Sequence, residues 1–179
     1  MTSARIVVGI TGGVAAFKMA TVVSRLVQAG HHVDVVLSHG AQQFVGPATF
    51  AALCGRSPVT DTNDPRFPLG AHIELADRAD ALLIAPATAR ILAACAQGSA
   101  DDLLATLYLA CTCPVIMAPA MNNAMWAKPA VQRNVDQLQK DGVTIIGPES
   151  GWLSCRKQGA GRMSEPETLL AALEQVLPK

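Results

Sequence analysis

The segment ARIVVGITGGVAAFKMATVVSRLVQAG, residues 4–30, decides the predicted fold. Its first seven residues are mostly apolar and include β-branched side chains, which predicts a buried strand over 4–10. A glycine turn follows, and apolar residues at helical spacing then predict a helix over 13–30 that ends at Gly30. A strand, a glycine turn and a helix in this order are typical of the first half of a βαβ unit.

The same alternation continues to the end of the chain. Further strands are predicted over 32–38, 80–87, 113–119 and 143–148, and further helices over 47–55, 72–79, 88–98, 100–112, 130–142 and 165–177. Strands this apolar are typical of a doubly wound parallel sheet with helices on both faces. We therefore predict an α/β fold in a single domain over residues 1–179.

Composition excludes several classes of function. Lys plus Arg and Asp plus Glu each number 14, so no overall field attracts nucleic acid or an anionic membrane. No apolar run is long enough to span a bilayer, and the first residues lack the features of a signal peptide, so we expect a cytoplasmic protein. The five cysteines are expected to be free thiols, and no metal site is predicted because Cys111 and Cys113 lack further ligands at suitable spacing.

Ligands of open α/β sheets bind outside the carboxyl ends of the strands. The candidate site therefore comprises residues 11–14, 38–40, 85–88 and 118–123, and the segment from 147 onward. The first turn, GITGGVAA at 9–16, lacks the Lys and Ser/Thr of a Walker A loop but offers bare backbone N–H groups to a phosphate. Tight packing of strand on helix is the alternative explanation.

The second strand separates the possible nucleotides. A dinucleotide site favours an acidic residue at the end of this strand, whereas here the strand ends in Ser38. A glycine turn with a serine favours a mononucleotide such as FMN over NAD. Thr88, after the third strand, is either an ordinary helix N-cap or a ligand contact, and the two roles are compatible.

Three more side chains have a chemical and a structural interpretation each. His72 stands where a long loop, 56–71, meets a helix, a position that suits proton exchange, although a lone histidine is more often structural. In APAMNNAMW, residues 118–126, Asn122 can present its amide to a carboxylate or cap a helix, while Met125 and Trp126 taken alone favour packing. Cys155 lies in a glycine-rich loop, 151–163, that resembles a lid.

These motifs together resemble a known family. PAMNNAMW at 119–126 matches the P-x-M-N-x-x-M-W signature of the homo-oligomeric flavin-containing cysteine decarboxylases. GAHIELADRADALLIAPATA at 70–89 is similar to that family's active-site histidine segment and flavin turn, and GITGGVAAFK at 9–18 to its phosphate turn. SGWLSCRKQGAGRM at 150–163 looks like the substrate lid of phosphopantothenoylcysteine decarboxylases. The resemblance extends from about residue 5 to residue 176.

The resemblance implies a Rossmann-like flavoprotein fold and a role for each matching residue. His72 would be the active-site base and Cys155 a proton donor, while Asn122, Met125 and Arg162 would bind the substrate. The family forms trimers, sometimes arranged as dodecamers, with flavin between subunits. The residues implied to contact FMN are Gly12, Gly13, Ser38, Phe44, Thr88, Ala89 and Ala120.

The implied reaction is FMN-dependent decarboxylation of a cysteine carboxylate through a thioaldehyde and an enethiol. The leading hypothesis is the conversion of 4'-phosphopantothenoylcysteine to 4'-phosphopantetheine in coenzyme A biosynthesis, which Cys155 favours. The alternative is oxidative decarboxylation of a peptide's C-terminal cysteine to an aminoenethiol in ribosomal peptide modification of the lantibiotic type. Arg156 in place of the family's usual glycine and the lack of a following synthetase domain favour that alternative. A further alternative is a non-catalytic regulatory subunit that binds flavin. Arg90 stands where the family often has Asn, so the resemblance does not determine the hydrogen bonds to the flavin at this position.

Overall fold

The central sheet is parallel throughout and has the strand order β2-β1-β3-β4-β5. The structure is a computed structural model and describes residues 3–178. The strands of this sheet are β1 (Arg5–Ile10), β2 (His32–Leu37), β3 (Ala81–Ala87), β4 (Val115–Pro119) and β5 (Thr144–Ile145). This order is the flavodoxin-like variant of the doubly wound fold, in which ligands bind where the strand order reverses. The predicted α/β class and parallel sheet are confirmed.

Helices cover both faces of the sheet. They are α1 (Lys18–Gln28), α2 (Pro47–Cys54), α3 (Ala71–Arg78), α4 (Ala89–Gln97), α5 (Leu103–Ala110), α6 (Asn123–Trp126), α7 (Pro129–Lys140) and α8 (Pro166–Val176). One core lies under α1, α2 and α8, and a second lies under α3, α4, α5 and α7. Successive strand residues alternate between the cores, so Ile6 and Val8 face the first and Val7 faces the second. None of the helices formed by residues 3–178 is long and apolar enough to cross a membrane.

Two predicted segments differ in conformation from the structure, and the strand predicted over 143–148 is shortened to Thr144–Ile145. The helix predicted over 13–30 begins as a 3₁₀ turn, Val14–Phe17, and becomes α-helical only at Lys18. The segment 151–163, predicted as a loop, is largely a separate antiparallel hairpin of β6 (Glu149–Trp152) and β7 (Gln158–Arg162). Its glycines suggested a loop, but a strand accepts glycine where a neighbouring backbone approaches closely.

The long loop between α2 and α3 is fastened to the body of the protein. Val59 bridges the edge strand β2 at Val36, and its N–H donates to the Val35 carbonyl at 2.8 Å. Arg66 then donates to the carbonyl oxygens of Ser57 at 2.6 Å and Pro58 at 3.1 Å. The loop therefore presents the start of α3, where His72 lies, from a fixed position.

Candidate active site

A cavity of about 410 Å³ opens at the carboxyl edge of the sheet. Its walls come from the turn after β1, the segments after β3 and β4, and the β6–β7 hairpin. The volume lies within the roughly 300–1,000 Å³ typical of small-molecule sites. Within the described part of the chain, no Asp or Glu side chain lines it. The cavity therefore suits a ligand that carries negative charge.

The turn after β1 offers backbone donors to this cavity. No side chain caps the helical start at Gly13, and residues 13–15 all line the cavity. A Cβ at residue 13 would meet nothing within 4 Å, so this part of the turn is open. Free N–H groups at a helix start are a common site for a phosphate.

Gly12 brings the loop after β2 against the same turn. A Cβ at residue 12 would lie 2.9 Å from the carbonyl carbon and oxygen of Gly40, so this close approach requires glycine. Ser38 stands two residues before Gly40, and its Oγ accepts a hydrogen bond from the Ala41 N–H at 3.2 Å. Ser38 is therefore close to the phosphate turn in the fold but belongs to the outer loop.

A pair of threonines joins the ends of β1 and β3. Thr11 is buried, and its hydroxyl donates to the Pro86 carbonyl at 2.5 Å and accepts from the Thr88 N–H at 3.2 Å. Thr88 caps α4 by accepting from the Ile91 N–H at 3.5 Å, and it also lines the cavity beside Ala89. The capping interpretation of Thr88 is therefore confirmed, and its position leaves the ligand role open as well.

Asn122 and Cys155 meet inside the cavity although 33 residues separate them. Asn122 caps α6, since its Oδ1 accepts from the Ala124 N–H at 2.8 Å. Its Nδ2 donates to the Cys155 Sγ at 3.2 Å. Because the cap holds the oxygen, the amide must present its N–H₂ group toward the thiol and the cavity.

Glycines let the hairpin dock on the segment after β4. The Met121 N–H donates to the Gly161 carbonyl at 3.0 Å, and a Cβ at residue 161 would lie 2.2 Å from the Met121 oxygen. A Cβ at residue 159 would lie 3.1 Å from the Cβ of Asn123. Two glycines at alternate positions of β7 therefore allow the contact that holds Cys155 above Asn122.

Both cations in the cavity wall are paired with carboxylates. Arg162 donates to Glu149 at 3.0 Å, and Lys18 lies 2.9 Å from Glu165 and donates to the Met163 carbonyl at 3.3 Å. The hydrogen bond from Arg162 lowers the pKa of Glu149. Arg162 thus lines the cavity and also ties β7 to the start of β6.

The remaining predicted residues divide into two groups. Ala120 and Met125 line the cavity, and Met125 is 46% exposed there. Trp126 is partly buried and packs against the second core, in agreement with a packing role. Phe44 and His72 do not line the cavity, and neither does Ser38.

His72 has an unusual environment for a residue outside the cavity. Its Nδ1 is buried and has no hydrogen-bond partner among residues 3–178. A buried polar atom without a partner is uncommon and calls for a physical explanation. Phe44, by contrast, is 51% exposed at the end of the 3₁₀ turn Ala41–Gln43.

Sequence comparison identifies the family to which these features belong. The chain matches the family model described as Flavoprotein over residues 1–177. The chain belongs to the Flavoprotein family. The family resemblance inferred from PAMNNAMW and the flanking motifs is therefore confirmed.

Named relatives of this Flavoprotein family member include a curated protein and two solved structures. The chain is 44% identical over 167 residues to the coenzyme A biosynthesis bifunctional protein CoaBC of Bacillus subtilis (strain 168), covering 93% of this chain and 41% of that protein. It is 38% identical to the FMN-dependent cysteine decarboxylase SpaF, with a TM-score of 0.84 and 97% of each chain covered. It is 27% identical to a cysteine-to-serine mutant of PPC decarboxylase complexed with pantothenoylaminoethenethiol, with a TM-score of 0.87 and coverage of 97% and 98%. The chain spans about two-fifths of the length of the curated relatives it matches.

Some residues of this site were not singled out from the sequence. Lys18 and Phe17 line the cavity one turn after the glycines, and Trp152 lines it from the hairpin, 66% exposed. The position of Lys18 at the helix start was a usable signal, because that end of the helix faces the strand ends. Trp152 gave no such signal, since its position depends on how the hairpin docks.

Proposed function

We propose that this chain binds FMN in the cavity and decarboxylates 4'-phosphopantothenoylcysteine to 4'-phosphopantetheine. The observation that carries the proposal is the 3.2 Å contact between the Asn122 amide and the Cys155 thiol, in a cavity that also contains an uncapped glycine turn. An amide can hold a carboxylate, a thiol can donate a proton, and an anion-binding turn can hold the phosphate of FMN. Similarity to CoaBC and to PPC decarboxylase supports the same activity, and similarity to SpaF supports FMN-dependent decarboxylation of a cysteine substrate in general.

The residues present fit FMN. The open backbone at residues 13–15 suits the phosphate, and Thr88, Ala89 and Ala120 form a small-residue wall along which a flat ring can lie. We propose that Gly12, Ser38 and Phe44 complete the binding site from the turn and the neighbouring loop. When bound, FMN supplies a hydride acceptor for the cysteine Cβ, which turns the substrate into a thioaldehyde from which carbon dioxide can leave.

Asn122 and Cys155 act on the substrate from fixed positions. The cap at Ala124 engages only the Asn122 oxygen, and its Nδ2 group carries a second N–H besides the one that meets Cys155, which can hold the departing carboxylate. Cys155 lies within hydrogen-bond distance of that group, so its thiol can donate a proton to the carbon that has lost carbon dioxide. The hydride that bound FMN accepts in the first step would return to the carbon that bears the sulfur, which completes the saturated thiol. Met125 and Arg162 contact the remainder of the substrate along the cavity wall.

His72 is proposed as the base that removes the substrate's thiol proton. Because His72 does not line the cavity of its own chain, this role requires a second copy that places its histidine at the first copy's cavity. We therefore propose a homo-oligomer, a trimer or a dodecamer composed of four trimers, with each site shared between two copies. The buried, unpartnered Nδ1 of His72 agrees with a side chain that is completed by another molecule.

Mixing inactive variants tests the shared site. We expect His72→Asn and Asn122→Ala to be inactive alone and to regain activity when they are unfolded and refolded together, because one site of each mixed pair has both wild-type residues. Each variant refolded alone is the control. Failure of the mixture to regain activity, with both variants folded and yellow, would rule out a shared site.

A peptide ending in cysteine is the second candidate substrate. SpaF, to which the chain is 38% identical over 97% of both chains, is named for FMN-dependent cysteine decarboxylation and not for a pantothenoyl substrate, which favours a cysteine substrate outside coenzyme A biosynthesis. With a peptide as the substrate, the product is an aminoenethiol. Incubating the wild-type protein with phosphopantothenoylcysteine and with a C-terminal cysteine peptide, and weighing the products, separates the candidates. Loss of carbon dioxide alone means that the enethiol was reduced. Loss of carbon dioxide and two hydrogens means that it was not, and no loss favours a regulatory flavin-binding role.

We further propose a cytoplasmic location, as expected from the sequence.

A further inference from the structure

The turn of the β6–β7 hairpin holds an arginine where the backbone favours glycine. The Arg156 N–H donates to the Leu153 carbonyl and the Leu153 N–H to the Lys157 carbonyl, both at 2.8 Å. These bonds define a three-residue turn whose last residue is left-handed, a position usually taken by glycine. Arg156 has φ +62°, the one positive φ of a non-glycine residue within residues 3–178. Backbone strain of this kind clusters at functional sites, which raises the question of what its side chain does.

Charge sets Arg156 apart from the cations of the cavity wall. Lys18 and Arg162 are both paired with carboxylates. Arg156 and Lys157 are exposed, and neither has a carboxylate within 4.0 Å in the described part of the chain. The cavity wall itself contributes no acidic side chain there. The hairpin tip therefore carries positive charge that is free to meet an anion.

The position of the tip relates this charge to the substrate. Ser154 and Cys155 line the cavity, and Arg156 follows Cys155 directly. A substrate cysteine held by Asn122 beside Cys155 has its carboxylate and thiol inside the cavity. Ser154 and Cys155 are exposed although they line the cavity, so the cavity is open to solvent at the hairpin tip, and the acyl group on the substrate's nitrogen would extend through this opening. An anion on that acyl group would pass close to Arg156.

We propose that Arg156 is a specificity-determining residue that binds a phosphomonoester on the acyl portion of the substrate. The inference rests on the proposed function and assigns a binding residue to the phosphate of its substrate. A guanidinium presents a planar set of donors that matches phosphate oxygens, and Arg156 has no carboxylate partner among residues 3–178 to give up. The glycine usual in the family adopts the left-handed conformation of this turn without strain but supplies no charge. Arg156 introduces backbone strain at this position and supplies a positive charge that can bind the phosphate.

Binding measurements on a neutral variant test this role. Arg156→Asn removes the charge while keeping a residue that tolerates the left-handed conformation. We expect the wild-type holoprotein to bind phosphopantothenoylcysteine at least about tenfold more tightly than pantothenoylcysteine by calorimetry, and Arg156→Asn to reduce that ratio about fivefold to tenfold. Arg156→Lys is expected to keep most of the preference. Arg133→Asn, which changes an exposed arginine on α7, is the matched control and is expected to leave the ratio unchanged.

The outcomes separate this inference from the proposed function. Equal binding of both compounds by the wild type, or an equal loss for both in Arg156→Asn, overturns the role of Arg156 even if the wild type decarboxylates them. Preserved phosphate preference with no decarboxylation of any cysteine substrate overturns the proposed function instead. Peptides ending in Glu-Ala-Cys and Gln-Ala-Cys form a second arm. A preference for Glu that exceeds the phosphate preference, and that Arg156→Asn abolishes, contradicts a phosphomonoester as the ligand.

Discussion

The carboxyl edge of the sheet and the β6–β7 hairpin line one cavity but are built in different ways. The edge is continuous with two buried cores and is tied internally by Thr11, Pro86 and Thr88. The hairpin has only two strands, contains three glycines, and docks through backbone contacts at Gly159 and Gly161. The rigid sheet edge is thus suited to bind a cofactor that remains bound through many turnovers. The hairpin is suited to contact a substrate that enters and leaves in each turnover.

The largest effect is expected from breaking the hairpin's contact with the edge. In Gly161→Ala the new Cβ would lie 2.2 Å from the Met121 carbonyl, at a φ of +143° that suits glycine, so the hairpin must move. We expect turnover to fall about 100-fold because Cys155 leaves Asn122, which corresponds to loss of one positioned proton-transfer group. FMN content, read from the visible absorbance, is expected to remain near that of the wild type.

A matched glycine provides the control for that variant. Gly46 has φ −78°, and a Cβ there would meet nothing within 4 Å. Gly46→Ala is expected to retain both turnover and flavin. If Gly161→Ala also retained full turnover, docking of the hairpin would not be needed for the reaction.

A complementary change at the sheet edge is expected to affect cofactor and stability together. In Gly12→Ala the Cβ would lie 2.9 Å from backbone atoms of Gly40, so the turn and the loop after β2 must separate. We expect a loss of about 1–3 kcal/mol in the free energy of unfolding, typical of overpacking, and weaker FMN binding. Thermal unfolding and flavin titration measure the two effects. Unchanged FMN affinity in a destabilised variant would remove the turn from the cofactor site.

A smaller effect of opposite sign is expected at the hairpin tip. Arg156→Gly removes a side chain from a left-handed position, which is expected to stabilise the hairpin by about 1 kcal/mol. The amides of Leu153 and Arg156 are the two hydrogen-bond donors of the turn, and they exchange with solvent through local opening of the hairpin. Their hydrogen exchange should therefore slow by at most about fivefold in the variant. Exchange rates that stay the same or rise would mean that the arginine's own contacts compensate for its backbone.

Acidification is expected to loosen the hairpin before it affects the edge. The hydrogen bond from Arg162 lowers the pKa of Glu149 in the folded protein. A carboxyl group with a lowered folded pKa stabilises the fold above its unfolded pKa of about 4.3, and this contribution is lost as the pH falls through the folded value. Exchange protection of β6 and β7 should therefore decrease in acid, and Glu149→Gln should remove that dependence. An identical pH profile in the variant would assign the effect to other carboxylates.

The same two regions show how far sequence predicts this protein. The strands and helices of the body were predictable because each is a buried element with a regular apolar period, and the strand ends then located residues 11–14, 85–88 and 118–123 at one edge. The contact of Asn122 with Cys155 was not predictable from period or propensity, since it depends on glycines that bring two backbones together over a long sequence separation. Glycine-rich strands give no hydrophobic pattern, which is why the hairpin was predicted as a loop.

The position of His72 relative to the cavity was also not predictable from the sequence. Its place at the start of α3 was predictable, and its segment is held by the long loop that Arg66 fastens. The sequence of a single chain did not predict that His72 lies outside the cavity that Asn122 and Cys155 line. We attribute its proposed function to contact with a second copy, where a surface residue of one molecule becomes a site residue of the other.

Flavin absorbance of Cys155→Ser during a single anaerobic turnover tests the central claim most directly. If the edge holds FMN and the hairpin thiol supplies the last proton, phosphopantothenoylcysteine should bleach the flavin band, release carbon dioxide and leave the band bleached. The wild type should bleach and then recover its absorbance as the saturated thiol forms. Carbon dioxide release without any change of the flavin band, or recovery of the variant at the wild-type rate, would contradict this account.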